Sequence, residues 1–191
     1  WVLAAVLALG VAPANAWLLR GPALVAAPQA ADAQADATLH AALRVPAFWL
    51  LTFAFTLHSF AGAGLWAHVM PAFEHKGLPE AQALTVVALI GPAQVGGRLL
   101  WVWIGAGRSL HRLGVAVMAG MPLSLVLFAL SDTFAPLVEF AIVFGFANGL
   151  VTLVRGGLVP EYFGRSHIGR IGGSMSAVAL VARAAAPVAI A

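Results

Sequence analysis

Five long apolar stretches run through the chain and restrict it to one class of fold. Short polar turns separate them, and they cover residues 45–71, 81–106, 110–130, 134–158 and 167–191. About 20 apolar residues in a helix span the hydrocarbon core of a bilayer. Because lipid tails offer no partners to backbone N–H and C=O groups, only helices or closed barrels cross it. The pattern therefore predicts an all-α fold, a polytopic transmembrane helical bundle in a lipid bilayer.

The composition agrees with a membrane protein and argues against other classes. Hydrophobic residues make up 62% of the chain and charged residues 9%, against about 25% charged residues in an ordinary globular domain. The net charge of +3 comes from short clusters, without a basic stripe that contains aromatic residues, so nucleic acid is not expected as a partner. The chain has no cysteine, which excludes disulfides and thiolate metal sites. We expect no metal site and no cofactor.

The sequence divides into three regions. Residues 1–19 are expected to form a partial transmembrane helix, residues 20–44 a polar linker with a short helix leading into Arg44, and residues 45–191 a transmembrane bundle. The chain opens and ends within apolar sequence and lacks an initiator methionine, so we expect it to be a fragment. The segment Ala14-Asn15-Ala16 resembles a signal-peptidase site, but no charged region precedes it, which favours the partial helix.

Basic residues are distributed unevenly between the two sides of the predicted bundle. One side carries Lys76 together with Glu74, Glu80 and Asp132. The other side carries eight of the ten basic residues, which are Arg20, Arg44, Arg98, Arg108, Arg112, Arg155, Arg165 and Arg170. Because positively charged turns remain in the cytoplasm, the sequence predicts a multi-pass protein of the cell inner (plasma) membrane.

Four of these arginines stand in the predicted cytoplasmic turns: Arg108, Arg112, Arg165 and Arg170. We interpret them as topology determinants. The alternative is a gating role at the cytoplasmic face.

Two motifs and the overall layout resemble the second half of a major facilitator superfamily transporter. The first motif is Gly97-Arg98-Leu99-Leu100, which runs into Arg108 and Arg112. The second is Arg155-Gly156 followed by Pro160-Glu161-Tyr162-Phe163-Gly164-Arg165 and Gly169. It is similar to the Phe-Gly loop of the organic-anion branch of that superfamily, the oxalate/formate and monocarboxylate type.

The resemblance implies a specific place for each region in a twelve-helix protein. Residues 1–19 would be helix 6, residues 20–44 the central linker and the five apolar stretches helices 7 to 11. The chain would then be the C-terminal six-helix half, truncated before its last helix. Its partner would be the missing N-terminal half of the same transporter.

The resemblance also implies a function. A transporter of this kind would move a small solute, here an organic anion, by alternating access, driven by a gradient or by protons as a symporter or an antiporter. A membrane-embedded enzyme and a structural or sensory membrane module are the alternatives. The sequence contains no Gly-x-Ser-x-Gly, His-Glu-x-x-His or Gly-rich phosphate-loop motif, so we expect no enzyme activity.

Two histidines in the first of the five stretches are candidates for proton coupling. Histidine is the side chain that titrates near neutral pH, and His58 is also a candidate for substrate binding. Ten residues separate His58 from His68, which is about 15 Å along a helix, so they cannot share a metal ion. The alternative for each is a neutral ring that bonds to a backbone carbonyl.

Two arginines are candidates for binding a substrate anion. Arg98 and Arg183 lie on the stretches that correspond to helices 8 and 11. The resemblance implies that cationic residues on those helices contact the anion. A charge at the centre of a membrane costs about 2.5–3.5 kcal/mol, so it needs a function or a partner. The alternative is that both side chains extend to the lipid headgroups.

Four further residues are expected to act within the bundle. Asn148 and Gln94 are uncharged hydrogen-bonding groups that contact substrate or join helices. Gly145 and Gly149 stand four residues apart, which predicts a close approach of another helix.

Overall fold

The computed structural model describes residues 36–105 and 107–190, and all regular secondary structure in this part of the chain is helical. The helices are α1 (Leu39–Ala42), α2 (Pro46–His75), α3 (Glu80–Ile104), α4 (Leu110–Leu130), α5 (Phe134–Phe163) and α6 (Ile168–Ala189). The last five are long and apolar enough to cross a membrane. The prediction of a helical membrane bundle is therefore confirmed at this level. The predictions for residues 1–19 and for most of the linker lie outside the described residues.

The structure extends two helices beyond their predicted ends. We expected α2 to end at Pro71 and α5 at residue 158, but α2 runs to His75 and α5 to Phe163. A proline near a helix end removes one hydrogen-bond donor, yet the remaining backbone bonds continue the helix. The end of α5 is set instead by Gly164, whose φ of 77° is readily adopted only by glycine.

The long helices pack in two groups. In the first, α5 contacts both α3 and α4 over much of its length, and in the second α2 packs along α6. The other pairs of long helices, including α5 with α6 and α2 with α5, share only short contacts. His58, Asn148 and Arg155, discussed below, lie where these two groups meet.

Two glycines bring the backbones of α3 and α5 together, as the sequence predicts. A Cβ atom added at Gly145 would lie 2.5 Å from the Cβ of Ala93 and 2.8 Å from the carbonyl oxygen of Ile90. One added at Gly149 would lie 2.5 Å from the carbonyl oxygen of Gln94. Because these neighbours are mainly backbone atoms, they cannot turn aside to accommodate a side chain.

Two apolar clusters form the core, one towards each end of the bundle. The first contains Phe73, Phe140 and Phe144, and the second contains Phe48, Phe55, Phe163 and Met175. On α5 the first cluster ends at Phe144 and the second begins at Val154. On α2 the corresponding gap runs from residue 56 to residue 64. The middle of both helices is therefore left to other residues, among them His58 and Asn148.

We predict that Gly149→Ala lowers the thermal stability of the protein, because the new methyl group meets the backbone of Gln94. Overpacking of this kind costs about 1–3 kcal/mol. The matched control is Gly156→Ala in the same helix, where an added Cβ meets no atom within 4 Å. The control should be neutral or stabilising, because alanine favours a helix over glycine. Thermal unfolding in detergent measures both, and equal melting temperatures would contradict the role of Gly149.

Candidate functional site

His58 on α2 is the most deeply buried titratable side chain among the described residues, with 7% of its surface exposed. It lines a cavity of about 420 Å³ between α2 and α4, together with Leu57, Met118 and Met121. Neither ring nitrogen has a hydrogen-bond partner, and the buried hydroxyl of Thr56 also lacks one. A buried polar atom without a partner costs about 1–3 kcal/mol. These atoms would therefore gain from a hydrogen bond to a solute, a proton carrier or a water molecule.

Asn148 on α5 is the polar neighbour of the His58 ring. The two side chains make no hydrogen bond of standard geometry, because both ring nitrogens remain without a partner. A side-chain amide both donates and accepts, so Asn148 can complement either tautomer of the histidine. Two residues that the sequence singled out separately thus lie together at the contact between α2 and α5.

Arg98 on α3 bonds to the backbone of α5 next to Asn148. Its Nε donates to the carbonyl oxygen of Gly149 over 2.9 Å. The backbone of Gln94, one turn earlier on α3, packs against the same glycine. In this arrangement Arg98 joins two helices through Nε, while the residue is otherwise exposed.

His68 and Arg183 lie apart from this group. Nε2 of His68 is 2.9 Å from the carbonyl oxygen of Pro187, in the last turn of α6. Such terminal carbonyls have no donor within their own helix, so the ring of His68 supplies the missing donor to the backbone of α6. Arg183 is exposed on α6 and makes no hydrogen bond or ion pair with another described residue.

Arg155 is the residue that sequence analysis missed. We counted it among the basic residues of the cytoplasmic side, and in the structure it lies inside α5, eight residues before the end of the helix at Phe163. Its Nη2 donates to the hydroxyl oxygen of Ser176 and, over 3.3 Å, to the carbonyl oxygen of Gly172, both on α6. Its guanidinium carbon is 5.5 Å from the ring centroid of Phe55 on α2. Arg155 therefore touches two helices besides its own.

A signal for this position was present in the sequence. Asn148 and Arg155 are seven residues apart, a spacing that puts two side chains on the same face of a helix. Both are partly buried. The predicted stretch 134–158 already contains both residues, but Arg155 was assigned from its charge and its spacing from Asn148 was not considered.

The four arginines predicted in the turns gather at one end of the bundle. Arg108 lies between α3 and α4, and Arg165 lies between α5 and α6. Arg112 and Arg170 lie in the first turns of α4 and α6. The opposite end carries the ion pair between Lys76 and Asp132, at 3.1 Å. Which end faces the cytoplasm remains a prediction from charge.

Asp36 fastens the segment before α1 to the turn between α5 and α6. Its carboxylate accepts hydrogen bonds from the hydroxyl of Ser166 and from the backbone N–H groups of Ser166 and Arg165, at 3.2 and 2.8 Å. The bonds from Ser166 and then from Arg165 lower the pKa of Asp36 below its ordinary value. A Cβ at Gly164 would collide with this carboxylate, so only glycine permits both the turn and the contact.

No protein-family model matches the chain, and no curated protein matches it significantly. The interpretation of the site therefore depends on the residues and contacts described above.

We predict that Asp36→Asn weakens the attachment of residues 36–38 to the turn at 164–166 at neutral pH, because the carboxylate charge strengthens all three hydrogen bonds. The folded-state pKa is lowered, so the stabilisation is complete above the ordinary aspartate pKa of about 3.9 and is lost as the pH falls through the lower folded value. Wild type and variant should therefore differ at pH 7 and converge as the pH falls through the folded-state pKa. Hydrogen exchange of peptides covering both segments measures the difference at pH 7, and melting temperatures across an acid titration measure the convergence.

Ser166→Ala is the matched control, because it removes one of the three bonds and leaves the charge. Its effect should be smaller than that of Asp36→Asn. Identical exchange in wild type and Asp36→Asn would contradict the importance of the contact.

Proposed function

We propose that the chain is part of a secondary active transporter of the major facilitator type, which moves a small solute, an organic anion, by alternating access. The observation that carries the proposal is the group of polar residues at the middle of the helices, between two apolar cores. His58 is the thirteenth of thirty residues in α2, and Asn148 is the fifteenth of thirty in α5. Transporters of this kind bind substrate and coupling ions near the middle of the membrane.

The pairing of the helices supports the proposal. Each six-helix half of such a transporter consists of two three-helix units with inverted topology. In this arrangement α2 corresponds to α5, and α3 corresponds to α6. The symmetry then predicts that the close pair α2–α6 has a counterpart in a close pair α5–α3. Both close pairs are observed. The corresponding helices α2 and α5 are both thirty residues long and both contain a proline near the end, at Pro71 and Pro160.

The charges in the site favour an anion. Lys76 and Asp132 form the one ion pair between side chains in the described part of the chain, and they lie at the end of the bundle. Arg98 and Arg155 contact only uncharged oxygen atoms. Two acids lie within the length of α5, and neither forms an ion pair with Arg155. Glu139 is sixteen residues from Arg155, about 24 Å along the helix, and the exposed Glu161 is six residues away, about 9 Å along the helix and on a different face. The site therefore carries positive charge that a carboxylate would neutralise.

We predict saturable, gradient-driven uptake of organic anions by the full-length protein in liposomes. Suitable probes are lactate and benzoate, each compared with its neutral amide, because the amide has nearly the same shape without the charge. Residues 1–191 alone should not catalyse uptake, since one half cannot close a cavity that forms between two halves. Failure of a folded, full-length preparation to take up any solute in such a panel would favour the structural or sensory alternative.

We also predict the orientation of the bundle from the position of its arginines. Because the chain has no cysteine, single cysteines report on one site each. Ser109→Cys, in the turn before α4, should be cytoplasmic, and Thr133→Cys, in the turn before α5, should lie on the other side. Both positions are exposed. An impermeant maleimide applied to intact cells should label residue 133 alone, and labelling of residue 109 alone would show that the orientation is inverted.

A further inference from the structure

We propose that Arg155 binds the negatively charged group of the transported solute, and that Ser176 and Gly172 hold its guanidinium in place until the solute arrives. This inference rests on the proposed function and assigns the charge recognition within it to one residue. It differs from the assignment that the sequence favours, in which Arg98 and Arg183 contact the anion.

The contacts of Arg155 leave its charge available. A guanidinium has five N–H donors, and among the described residues only Nη2 has hydrogen-bond acceptors, the Ser176 hydroxyl and the Gly172 carbonyl. Both acceptors are uncharged. A carboxylate can bond to two N–H groups of an arginine in parallel, and such charge-assisted bonds are roughly twice as strong as neutral ones. An anion would therefore compete successfully with both present partners.

The surroundings of Arg155 favour an incoming anion over a lipid headgroup. The ring of Phe55 lies against the guanidinium, and a cation held over an aromatic face is fixed in orientation. His58 follows Phe55 by three residues on α2, and Asn148 precedes Arg155 by two turns on α5. Phe55 contacts Arg155 and His58 neighbours Asn148, so both pairs lie between α2 and α5.

Arg155 also links binding to the packing of the helices. Helices α5 and α6 share only a short contact, and the bonds from Arg155 to Ser176 and Gly172 are the side-chain hydrogen bonds that join them in the described part of the chain. The Ser176 hydroxyl donates its own proton to the Gly172 carbonyl over 2.6 Å, so it can accept from the arginine. An anion that takes the guanidinium away from Ser176 would free α6 from α5.

The test compares variants of the full-length protein in detergent and in liposomes. The melting temperature is measured with sodium benzoate and with benzamide, and the uptake of benzoate is measured in parallel. Both measurements are repeated with lactate and lactamide. In wild type we expect benzoate to raise the melting temperature and benzamide not to. Arg155→Gln should abolish this stabilisation and reduce the affinity for benzoate about 10- to 100-fold, the loss expected for a charged hydrogen bond of 1.5–3 kcal/mol.

Two further variants separate recognition from a purely structural role. Ser176→Ala removes the present partner and keeps the charge, so it should bind benzoate as tightly as wild type or more tightly. A structural role alone would instead make Ser176→Ala and Arg155→Gln equally harmful. Arg44→Gln, at the exposed turn before α2, makes the same change of charge outside the site and should leave benzoate binding unchanged.

The outcomes distinguish this inference from the proposed function. If Arg155→Gln keeps the wild-type affinity while Arg183→Gln loses it, the assignment to Arg155 is overturned and anion transport remains. If wild type is neither stabilised by the anions nor transports them, the proposed function itself fails.

If Arg155→Gln does not fold, Arg155→Lys takes its place. A lysine keeps the charge but not the paired N–H groups, so unchanged binding by that variant would also overturn the inference.

Discussion

The close approach of α3 to α5 is the contact on which the polar middle of the bundle depends. Helices in lipid gain little from burying apolar surface against one another, so backbone contact and hydrogen bonds carry more of their association. At Gly145 and Gly149 the absence of side chains lets α3 lie directly on α5. The carbonyl oxygen of Gly149 then comes within reach of Arg98. The same turn of α5 carries Asn148, which is thereby fixed beside His58 on the other side of the helix.

The interior of the bundle is apolar towards each end and contains polar groups in the middle, because the two apolar clusters are separate. Aromatic side chains pack within each cluster: the ring centroids of Phe128 and Phe140 are 4.9 Å apart in the first, and those of Phe48 and Phe163 are 6.3 Å apart in the second. Between the clusters the buried hydroxyl of Thr56 and both nitrogens of His58 have no partner. Native proteins keep few unsatisfied buried groups. In the function that we propose, the transported solute would supply the missing hydrogen bonds while it is bound.

The sequence predicted what depends on local composition and missed what depends on contacts between distant residues. Length and hydrophobicity were enough to find all five long helices, and the four-residue spacing of Gly145 and Gly149 was enough to predict the close approach of another helix. The predicted ends of α2 at Pro71 and of α5 at residue 158 were too early. Arg155 was assigned to the cytoplasmic side from its charge, so its seven-residue spacing from Asn148 within the same helix was overlooked. The contact of Asp36 with Arg165, 129 residues away, leaves no trace in any local pattern.

In the proposed transporter, the hydrogen-bond partners of Arg155 explain how anion binding and the movement of α6 can depend on the same contact. An arginine paired with an aspartate is already neutralised, and an incoming anion would have to displace a full charge. A hydroxyl and a carbonyl oxygen satisfy the geometry of the guanidinium but leave its charge uncompensated. The positive charge is then stable enough to remain in place, because it is hydrogen-bonded, and still gains free energy from an anion. Since those same two oxygen atoms belong to α6, an anion bound as we propose would loosen α6 from α5, and its free energy of binding would then be available for moving one helix against the other.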